Sequence, residues 1–211
     1  MKRQEYMNVG SLPEPKYWFP FTENNSDIMG NFPSWSYSTG VTYSDNGAYF
    51  NGSAYMNNTS AIIPNSNLQT FSLQMMIPTI YTYGIYTMFN IDAGDSNTGI
   101  GGLIAPDWGF DLVDNPIYNG SSNTDLSLSS VPWVANTWYT LVWRQDFSTK
   151  IELFINGTLR ASTSTVIPSS VNYSRIYIGT HPTNPNRKYK GYIKNVRMWN
   201  TFLTDEQIAT L

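Results

Sequence analysis

The last third of the chain holds an order of elements that few folds combine, beginning with a β-hairpin. In the sequence KIELFINGTLRAS, Ile151, Leu153 and Ile155 fall on one face of a strand, and Asn156 and Gly157 follow. Asn-Gly fits the two positive-φ positions of a type I′ turn, whose twist matches that of the flanking strands. The pattern therefore predicts a hairpin that reverses at Asn-Gly.

The end of the chain predicts further strands and then a short helix. Arg175–Gly179 reads as a strand, and the segment YKGYIKNVRMWNTFLTDEQIATL reads as a strand that leads into a helix. Thr204 is the expected N-cap and Gln207 completes a capping box. Leu203 and Ile208 are spaced to form the hydrophobic staple that sets the entry angle of the helix.

Together with upstream stretches, this ending resembles the laminin-G-like, or concanavalin A-like, jelly-roll domains of lectins, pentraxins and adhesive modules. The stretches that carry the resemblance are the aromatic strand Tyr17–Thr22 with Asp27 and Gly30 after it, Gly47–Tyr55 interpreted as a hairpin, the strands Phe71–Ile77 and Thr137–Trp143, the Asn-Gly hairpin, the Ile-Gly strand end and the closing strand with its helix. The resemblance implies an all-β fold, a two-sheet antiparallel jelly-roll sandwich with one short C-terminal helix. It says little about function.

Length and composition agree with one sandwich domain. The 211 residues suffice for a single all-β core, and we expect residues 17–211 to form the jelly-roll domain. Residues 1–16, with Pro13 and Pro15, predict an extended N-terminal arm that docks on other virion structural proteins or is simply a frayed end. Only 13% of residues are charged and 15% are aromatic, so the surface is neutral and polar, as is typical of surfaces that meet sugars or other proteins.

The net charge of −3 argues against general nucleic-acid binding, which needs a basic surface to release phosphate counterions. One basic group stands out near the C-terminus: Arg187, Lys188, Lys190, Lys194 and Arg197. It indicates either a solvated or edge strand protected by positive charge or a site for an acidic glycan or phosphate.

The expected location of the protein follows from cysteine content and hydropathy. Cysteine is absent, the N-terminal Lys2 and Arg3 precede no apolar run, and no stretch is long enough to span a membrane. We therefore expect no membrane insertion and a protein that remains in the cytosol that makes it. An adhesive fold made in a cytosol is typical of a bacteriophage structural protein, which would place this one on the virion surface in a multicopy array.

The acidic residues do not form the pair that jelly-roll glycosidases place on alternate positions of one strand. Glu152 stands alone in its strand, and Asp205 and Glu206 fit favourable charge at a helix N-terminus. His181 is the one histidine, and we expect it in a surface loop without a triad partner. These observations predict a protein that is not an enzyme.

A Gly-rich loop offers oxygen ligands for a hard cation. Asp92, Asp95 and Asn97 lie within NIDAGDSNTGIGG, and calcium takes several oxygens from such turns. The resemblance adds weight, because many family members hold calcium in loops at one edge of the sandwich. Asp, Asn and Gly are also what an ordinary turn requires, so calcium is the one cofactor considered and both interpretations stay open. Asp111 and Asp114 form a weaker second candidate.

Sugar binding needs an aromatic platform beside groups that bond hydroxyls. Trp108 follows Pro-Asp in a predicted turn, with Asp107, Asp111 and Asn115 near it, and Tyr83 belongs to a second aromatic cluster. These five residues are the predicted ligand-binding set. By contrast, two tryptophans inside a predicted strand, Trp138 and Trp143, are interpreted as core.

The sequence thus predicts a non-enzymatic, lectin-like module of a phage fibre, tail or capsid decoration that attaches to cell-surface glycans of the host. The first alternative is a purely structural assembly protein that docks through its arm and binds no sugar. A glycoside hydrolase or lyase on the same fold is the second alternative.

Overall fold

The structure of the chain is a computed structural model that describes residues 11–60, 68–80, 84–92, 99–104, 113–114, 116–118, 123–125, 131, 133–146, 149–164 and 173–211. Nearly all regular structure in these ranges is β-strand, and the strands form two large antiparallel sheets packed face to face. The predicted two-sheet jelly roll with one short helix is confirmed. Among the described residues, no helix is long and apolar enough to cross a membrane.

The larger sheet has eight strands in the order β14-β13-β12-β6-β16-β4-β3, and β1 also pairs with β16. Its strands are β1 (Tyr17–Phe19), β3 (Thr42–Ser44), β4 (Gly47–Asn51), β6 (Leu68–Met76), β12 (Trp138–Asp146), β13 (Lys150–Ile155), β14 (Thr158–Thr163) and β16 (Lys190–Trp199). The long central strands β6, β12 and β16 carry the apolar alternation that faces the second sheet.

The second sheet has six strands in the order β2-β5-β15-β7-β8-β9. Its strands are β2 (Tyr37–Thr39), β5 (Tyr55–Asn58), β7 (Tyr86–Asp92), β8 (Gly99–Ile104), β9 (Val113–Asp114) and β15 (Arg175–Ile178). A separate pair consists of β10 (Pro116–Tyr118) and β11 (Asn123–Asp125).

The core lies between the two sheets. Leu73 and Leu141 point inward from the larger sheet and meet Phe89 and Ile178 of the smaller one, all completely buried. Each such side chain contributes about 1.5–3 kcal/mol when it is removed from water. Successive strand residues point to opposite faces, so both sheets also present an outer face, and these two outer faces point in opposite directions.

A short helix, α1 (Asp205–Ile208), covers part of the outer face of the eight-stranded sheet. The predicted capping box is confirmed, since the Thr204 hydroxyl accepts from the Gln207 N–H and the Gln207 side chain accepts from the Thr204 N–H. Leu203 and Ile208 are buried in one small apolar cluster with Val142. The staple residues therefore attach the helix to the sheet.

Residues 11–16, the described part of the predicted arm, lie along the same region. The Ser11 carbonyl accepts from the Gln207 side chain at 3.0 Å, and the Pro13 carbonyl accepts from the Trp199 indole at 2.8 Å. The Lys16 N–H donates to the Met198 carbonyl at 2.7 Å. This part of the chain is therefore attached to its own domain, while docking of the arm on another protein stays a prediction.

The hairpin predicted at Asn-Gly is confirmed, and the one predicted over Gly47–Tyr55 is wrong. β13 and β14 pair across Asn156 and Gly157, whose φ angles are 49° and 74°. In contrast, β4 belongs to the eight-stranded sheet and β5 to the six-stranded sheet. The chain turns the corner between them because the Asn51 side chain accepts two backbone N–H groups and Gly52 has a φ of 87°.

Two further interpretations need correction. β16, which carries the basic residues Lys190, Lys194 and Arg197, pairs with β6 on one side and with β4 and β1 on the other, so it is not an edge strand. Trp143 is buried as expected, but Trp138 lies on the outer face and is partly exposed. Strand pairing decides both outcomes, and pairing depends on residues distant in sequence.

Candidate functional site: a tyrosine-lined sheet face

The outer face of the six-stranded sheet gathers aromatic and amide side chains in one row. The register places Tyr37 opposite Asn57, Asn57 opposite Tyr177, and Tyr177 opposite Asn90. Directly opposed residues on antiparallel strands share a face, and Tyr55 shares it too because it lies two residues from Asn57. We call Tyr37, Tyr55, Asn57, Tyr177 and Asn90 the tyrosine face.

Two of its rings form an accessible aromatic pair. The centroids of Tyr37 and Tyr55 lie 4.9 Å apart with an interplanar angle of 32°, and Tyr37 is 45% exposed. The Lys188 ammonium lies 5.1 Å from the Tyr55 ring and donates to the Ser53 carbonyl at 3.1 Å. This lysine therefore borders the pair and holds a positive charge beside it.

The phenols of Tyr55 and Tyr177 are neutral at physiological pH, because the pKa of each is raised. Burial, followed by the hydrogen bond with Tyr37, raises the pKa of Tyr55. Burial also raises the pKa of Tyr177, and the Asp92 carboxylate adds to that effect while Arg175 opposes it. Each neutral phenol can donate one hydrogen bond and accept another, as a sugar hydroxyl requires.

The buried polar atoms of β7 include some without a hydrogen-bond partner. Among them are Oδ1 of Asn90, a residue that is 4% exposed, and Oγ1 of Thr87, a residue that is fully buried. An unsatisfied buried polar atom costs about 1–3 kcal/mol, and such atoms in native proteins call for an explanation. Asn90 lies beside Tyr177 in the row but is buried, so the accessible part of the tyrosine face is at Tyr37, Tyr55 and Asn57.

The predicted calcium ligand Asp92 is the last residue of β7 and is 3% exposed. Its Oδ1 accepts from Nε of Arg175 at 2.5 Å across the strand pair β7–β15. The other two predicted ligands, Asp95 and Asn97, lie outside the described residues. No group of three His, Cys, Asp or Glu side chains within the described ranges is placed to hold a metal ion, and calcium at this loop stays a prediction.

The predicted sugar-binding residues Trp108, Asp107, Asp111, Asn115 and Tyr83 all lie outside the described residues. Asp107, Trp108 and Asp111 lie in the segment between β8 and β9. Both strands belong to the six-stranded sheet and pair with each other. The segment is thus attached at both ends to the sheet that carries the tyrosine face. Its contribution to binding stays a prediction.

The tyrosine face itself was missed by sequence reasoning. Its members come from β2, β5, β7 and β15, and only the register of those strands brings them into one row. Taken singly, each tyrosine fits the aromatic content of an ordinary strand. The one available signal was the repetition of Tyr and Asn at alternate positions, as in Tyr55 and Asn57.

Glu152 and His181 are engaged in structural contacts. Glu152 is bound by Arg144 at 2.7 Å and by Lys150 at 3.0 Å, on the other sheet from Asp92. His181 is 9% exposed, so the expectation of a surface histidine is wrong, because loop 179–189 folds back onto β7. Burial, and then the charge of Arg187, lowers the pKa of His181 to about 4, which keeps the imidazole neutral at pH 7.

The fold and this face define a jelly-roll domain with a polar-aromatic outer surface. The chain belongs to the concanavalin A-like lectin/glucanases superfamily, whose family model matches residues 50–209. No curated protein matches the chain in sequence.

Solved structures show the same fold at low sequence identity. The receptor-binding domain of botulinum neurotoxin C/D mosaic serotype is 15% identical with a TM-score of 0.72, covering 93% of this chain and 50% of that one. Domain 4 of an extracellular arabinanase from Geobacillus stearothermophilus, in complex with arabinotriose, is 18% identical with a TM-score of 0.67, covering 95% and 98%. The chain spans about half the length of the neurotoxin domains that it matches.

A third comparison is with a botulinum neurotoxin serotype D ligand-binding domain in complex with N-acetylneuraminic acid. It is 15% identical with a TM-score of 0.69, and the match covers 93% of this chain and 50% of that one. At these identities the likeness establishes the fold alone, so function must be argued from the residues of this chain.

Proposed function

We propose that this protein is a non-enzymatic glycan-binding module whose tyrosine face binds the saccharide. The observation that carries the proposal is the exposed end of the row, where the ring pair Tyr37–Tyr55 lies beside the partly exposed Asn57 amide. The apolar side of a pyranose packs on an aromatic ring, while its hydroxyls bond to amides and phenols. The face provides both kinds of contact within one row.

Two of the similar structures support a saccharide as the ligand class. The arabinanase domain was solved with arabinotriose and the neurotoxin domain with N-acetylneuraminic acid. The arabinanase domain is matched over 98% of its length, so its sugar is bound by a domain of this fold, whereas the neurotoxin domain is matched over 50%. Loops and surface side chains set specificity, so the sugar bound by this chain is defined by its own tyrosine face.

A binding role without catalysis is favoured by the residues at alternate positions of β7. Asn90 and Asp92 lie two positions apart on the same outer face, so this pair of positions holds one amide and one carboxylate rather than two carboxylates. The Asp92 carboxylate is paired with Arg175. Glycoside hydrolysis with two carboxyl groups needs them within about 9.5 Å. A match at 14% identity covers 33% of the chain of a Trypanosoma rangeli sialidase, and sugar release is the assay that separates the two roles.

The proposed setting is the surface of a bacteriophage particle, with many copies displayed together. Ser11 and Pro13 lie on the α1 side of the eight-stranded sheet, opposite the tyrosine face. An arm that tethers the domain from that side leaves the tyrosine face accessible to the host. Many weak contacts then add to firm attachment. In the structural alternative, the arm serves assembly and the tyrosine face binds nothing.

The experiment displays the full chain on beads and measures retention on host cells and on purified cell-wall glycans. Replacing Tyr37 and Tyr55 together by Ala should reduce retention at least tenfold, since stacking on each ring contributes about 1 kcal/mol. Leu159→Ala is the matched control because Leu159 is also 45% exposed but lies on β14 of the other sheet. Retention that the tyrosine variant keeps in full would refute the proposed site.

A further inference from the structure

A bulge in β16 brings two cations to one face of the eight-stranded sheet. Lys194 pairs with Gln74 and Arg197 pairs with Ser72, so three steps along β16 match two steps along β6. Residues three apart on a regular strand point to opposite faces, whereas the extra residue of a bulge returns them to the same face. Asn195, in the bulge, has a φ of 50°, which asparagine tolerates.

Both cations lie against tryptophan rings. The Lys194 ammonium is 3.9 Å from the Trp138 ring centroid, and the Arg197 guanidinium is 4.3 Å from that of Trp18. Within the described ranges, no carboxylate forms an ion pair with either cation. Nε of Arg197 is buried without a hydrogen-bond partner, and burial lowers the pKa of this residue. A chain of net charge −3 thus presents, on one sheet face, two cations that form no ion pair with a described carboxylate.

Aromatic side chains continue this face across the sheet. Trp138 is opposite Met76, Met76 is opposite Tyr192, and Tyr192 is opposite Tyr49. The ring centroids of Tyr49 and Tyr192 are 4.8 Å apart. Both of these rings and that of Trp138 are partly exposed. We call Trp138, Met76, Tyr192 and Tyr49 the aromatic row. It runs directly beside Lys194.

Hydrogen bonds hold in place the side chains that surround Lys194 and Arg197. Asn195 donates to the Gln74 side chain at 2.9 Å and accepts from the Trp18 indole at 3.3 Å. Gln74 in turn donates to the Thr140 hydroxyl at 3.3 Å. The Trp18 ring beneath Arg197 and the part of β16 that contains Lys194 are therefore held in position before a ligand binds. This lowers the entropy cost of binding.

The geometry points to a second binding site on this face, for an acidic saccharide whose carboxylates pair with Lys194 and Arg197 while its rings pack on the aromatic row. Charge complementarity selects an anion, because two cations lack a carboxylate partner. The aromatic row selects a ligand with apolar ring faces. An acidic peptide fits less well, since β16 is internal and has no free edge for a peptide strand to pair with.

This site lies on the opposite outer face from the tyrosine face, so it holds whether or not saccharides bind there. The probe is an oligogalacturonate, which carries a carboxylate on each ring, titrated into the full chain by calorimetry. The matching neutral galactose oligomer should bind at least tenfold more weakly, and affinity for the oligogalacturonate should fall as salt rises. Equal affinity for the charged and neutral oligomers, or no binding of either at millimolar concentration, would overturn the assignment.

Variants then locate the contact. Lys194→Met and Arg197→Met keep an apolar stem against the tryptophan rings and should each weaken oligogalacturonate binding about tenfold. Arg160→Met is the control, because Arg160 is exposed on β14, which three strands separate from β16 in the same sheet, and it should leave binding unchanged. Unchanged binding in both test variants, or polyglutamate binding as tightly as the oligogalacturonate, would contradict the assignment.

A readout on the unaltered protein keeps the test independent of variant stability. The indole N–H signals of Trp18 and Trp138 in an NMR titration report directly on the two rings beneath the cations. We expect both signals to shift with oligogalacturonate. Signals that stay fixed while other parts of the spectrum shift would place the acidic saccharide elsewhere.

Discussion

Arg144 connects the eight-stranded sheet to the C-terminal helix, and its replacement tests the energetics of the fold. Its Nε binds Glu152 Oε2 at 2.7 Å, Nη1 donates to the Leu203 carbonyl at 2.7 Å, and Nη2 binds Asp205 at 2.5 Å. The side chains of Arg144 and Glu152 are only 5% and 7% exposed. All of these contacts lie on the outer face of the larger sheet, away from the tyrosine face.

Arg144→Met leaves the buried Glu152 carboxylate with Lys150, a lysine whose side chain is 41% exposed. Breaking a buried pair by removing one partner costs about 3–5 kcal/mol, because an uncompensated charge remains. In a domain of this size, each kcal/mol lowers Tm by about 2–4 °C. We therefore expect the free energy of unfolding to fall by about 3–5 kcal/mol and Tm to fall by about 6–20 °C.

The assay is urea unfolding of the single variant and of the double variant Arg144→Met with Glu152→Met. The double variant should recover at least half of the loss, because replacing a whole buried pair by apolar side chains is often nearly neutral. The remaining deficit reflects the Leu203 carbonyl, which loses its donor. A single variant within about 1 kcal/mol of the unaltered protein, or a double variant that is less stable still, would refute this reasoning.

Three further predictions concern stability, pH and calcium. Asp27 accepts four backbone N–H groups, from Trp18, Met29, Asn31 and Phe32, so Asp27→Ala should lower the free energy of unfolding by about 2–4 kcal/mol in urea; a loss below about 1 kcal/mol would contradict this. His181, whose pKa falls to about 4 on folding, contributes stability that is complete above its unfolded pKa near 6.5 and is lost as pH falls toward 4. Unfolding measured from pH 7 to pH 4 should therefore show a decline of up to about 3 kcal/mol that His181→Gln removes, and an unchanged decline in the variant would count against a buried neutral imidazole. If calcium binds at the loop after β7, calcium should raise Tm and Asp95→Asn should abolish that rise, whereas no rise at millimolar calcium would remove the site.

Local signals predicted the elements that depend on neighbouring residues. The Asn156-Gly157 turn and the Thr204–Gln207 capping box are each specified within a few residues, and both form as predicted. Their physical causes, positive φ angles and unpaired helix N–H groups, act over one turn of chain. Sequence patterns are reliable at that range.

Features that depend on pairing between distant strands were not predictable in this way. The corner at Gly52 looks like a hairpin turn in sequence, and only the partners of β4 and β5 show that the chain changes sheets there. The position of β16 and the exposure of Trp138 were misjudged for the same reason. The tyrosine face joins Tyr37 to Tyr177 through β5, a relation that a single sequence does not encode locally.

The measurement that tests the central proposal most directly is an NMR titration of the full chain with a host cell-wall oligosaccharide that retains the bead-displayed protein. If the tyrosine face binds the sugar, the largest amide shifts will fall on β2, β5 and β15, around Tyr37, Asn57 and Tyr177. The shifts should disappear when Tyr37 and Tyr55 are replaced by Ala. Shifts confined to the eight-stranded sheet, or a spectrum unchanged by every saccharide that retains the beads, would contradict the proposal.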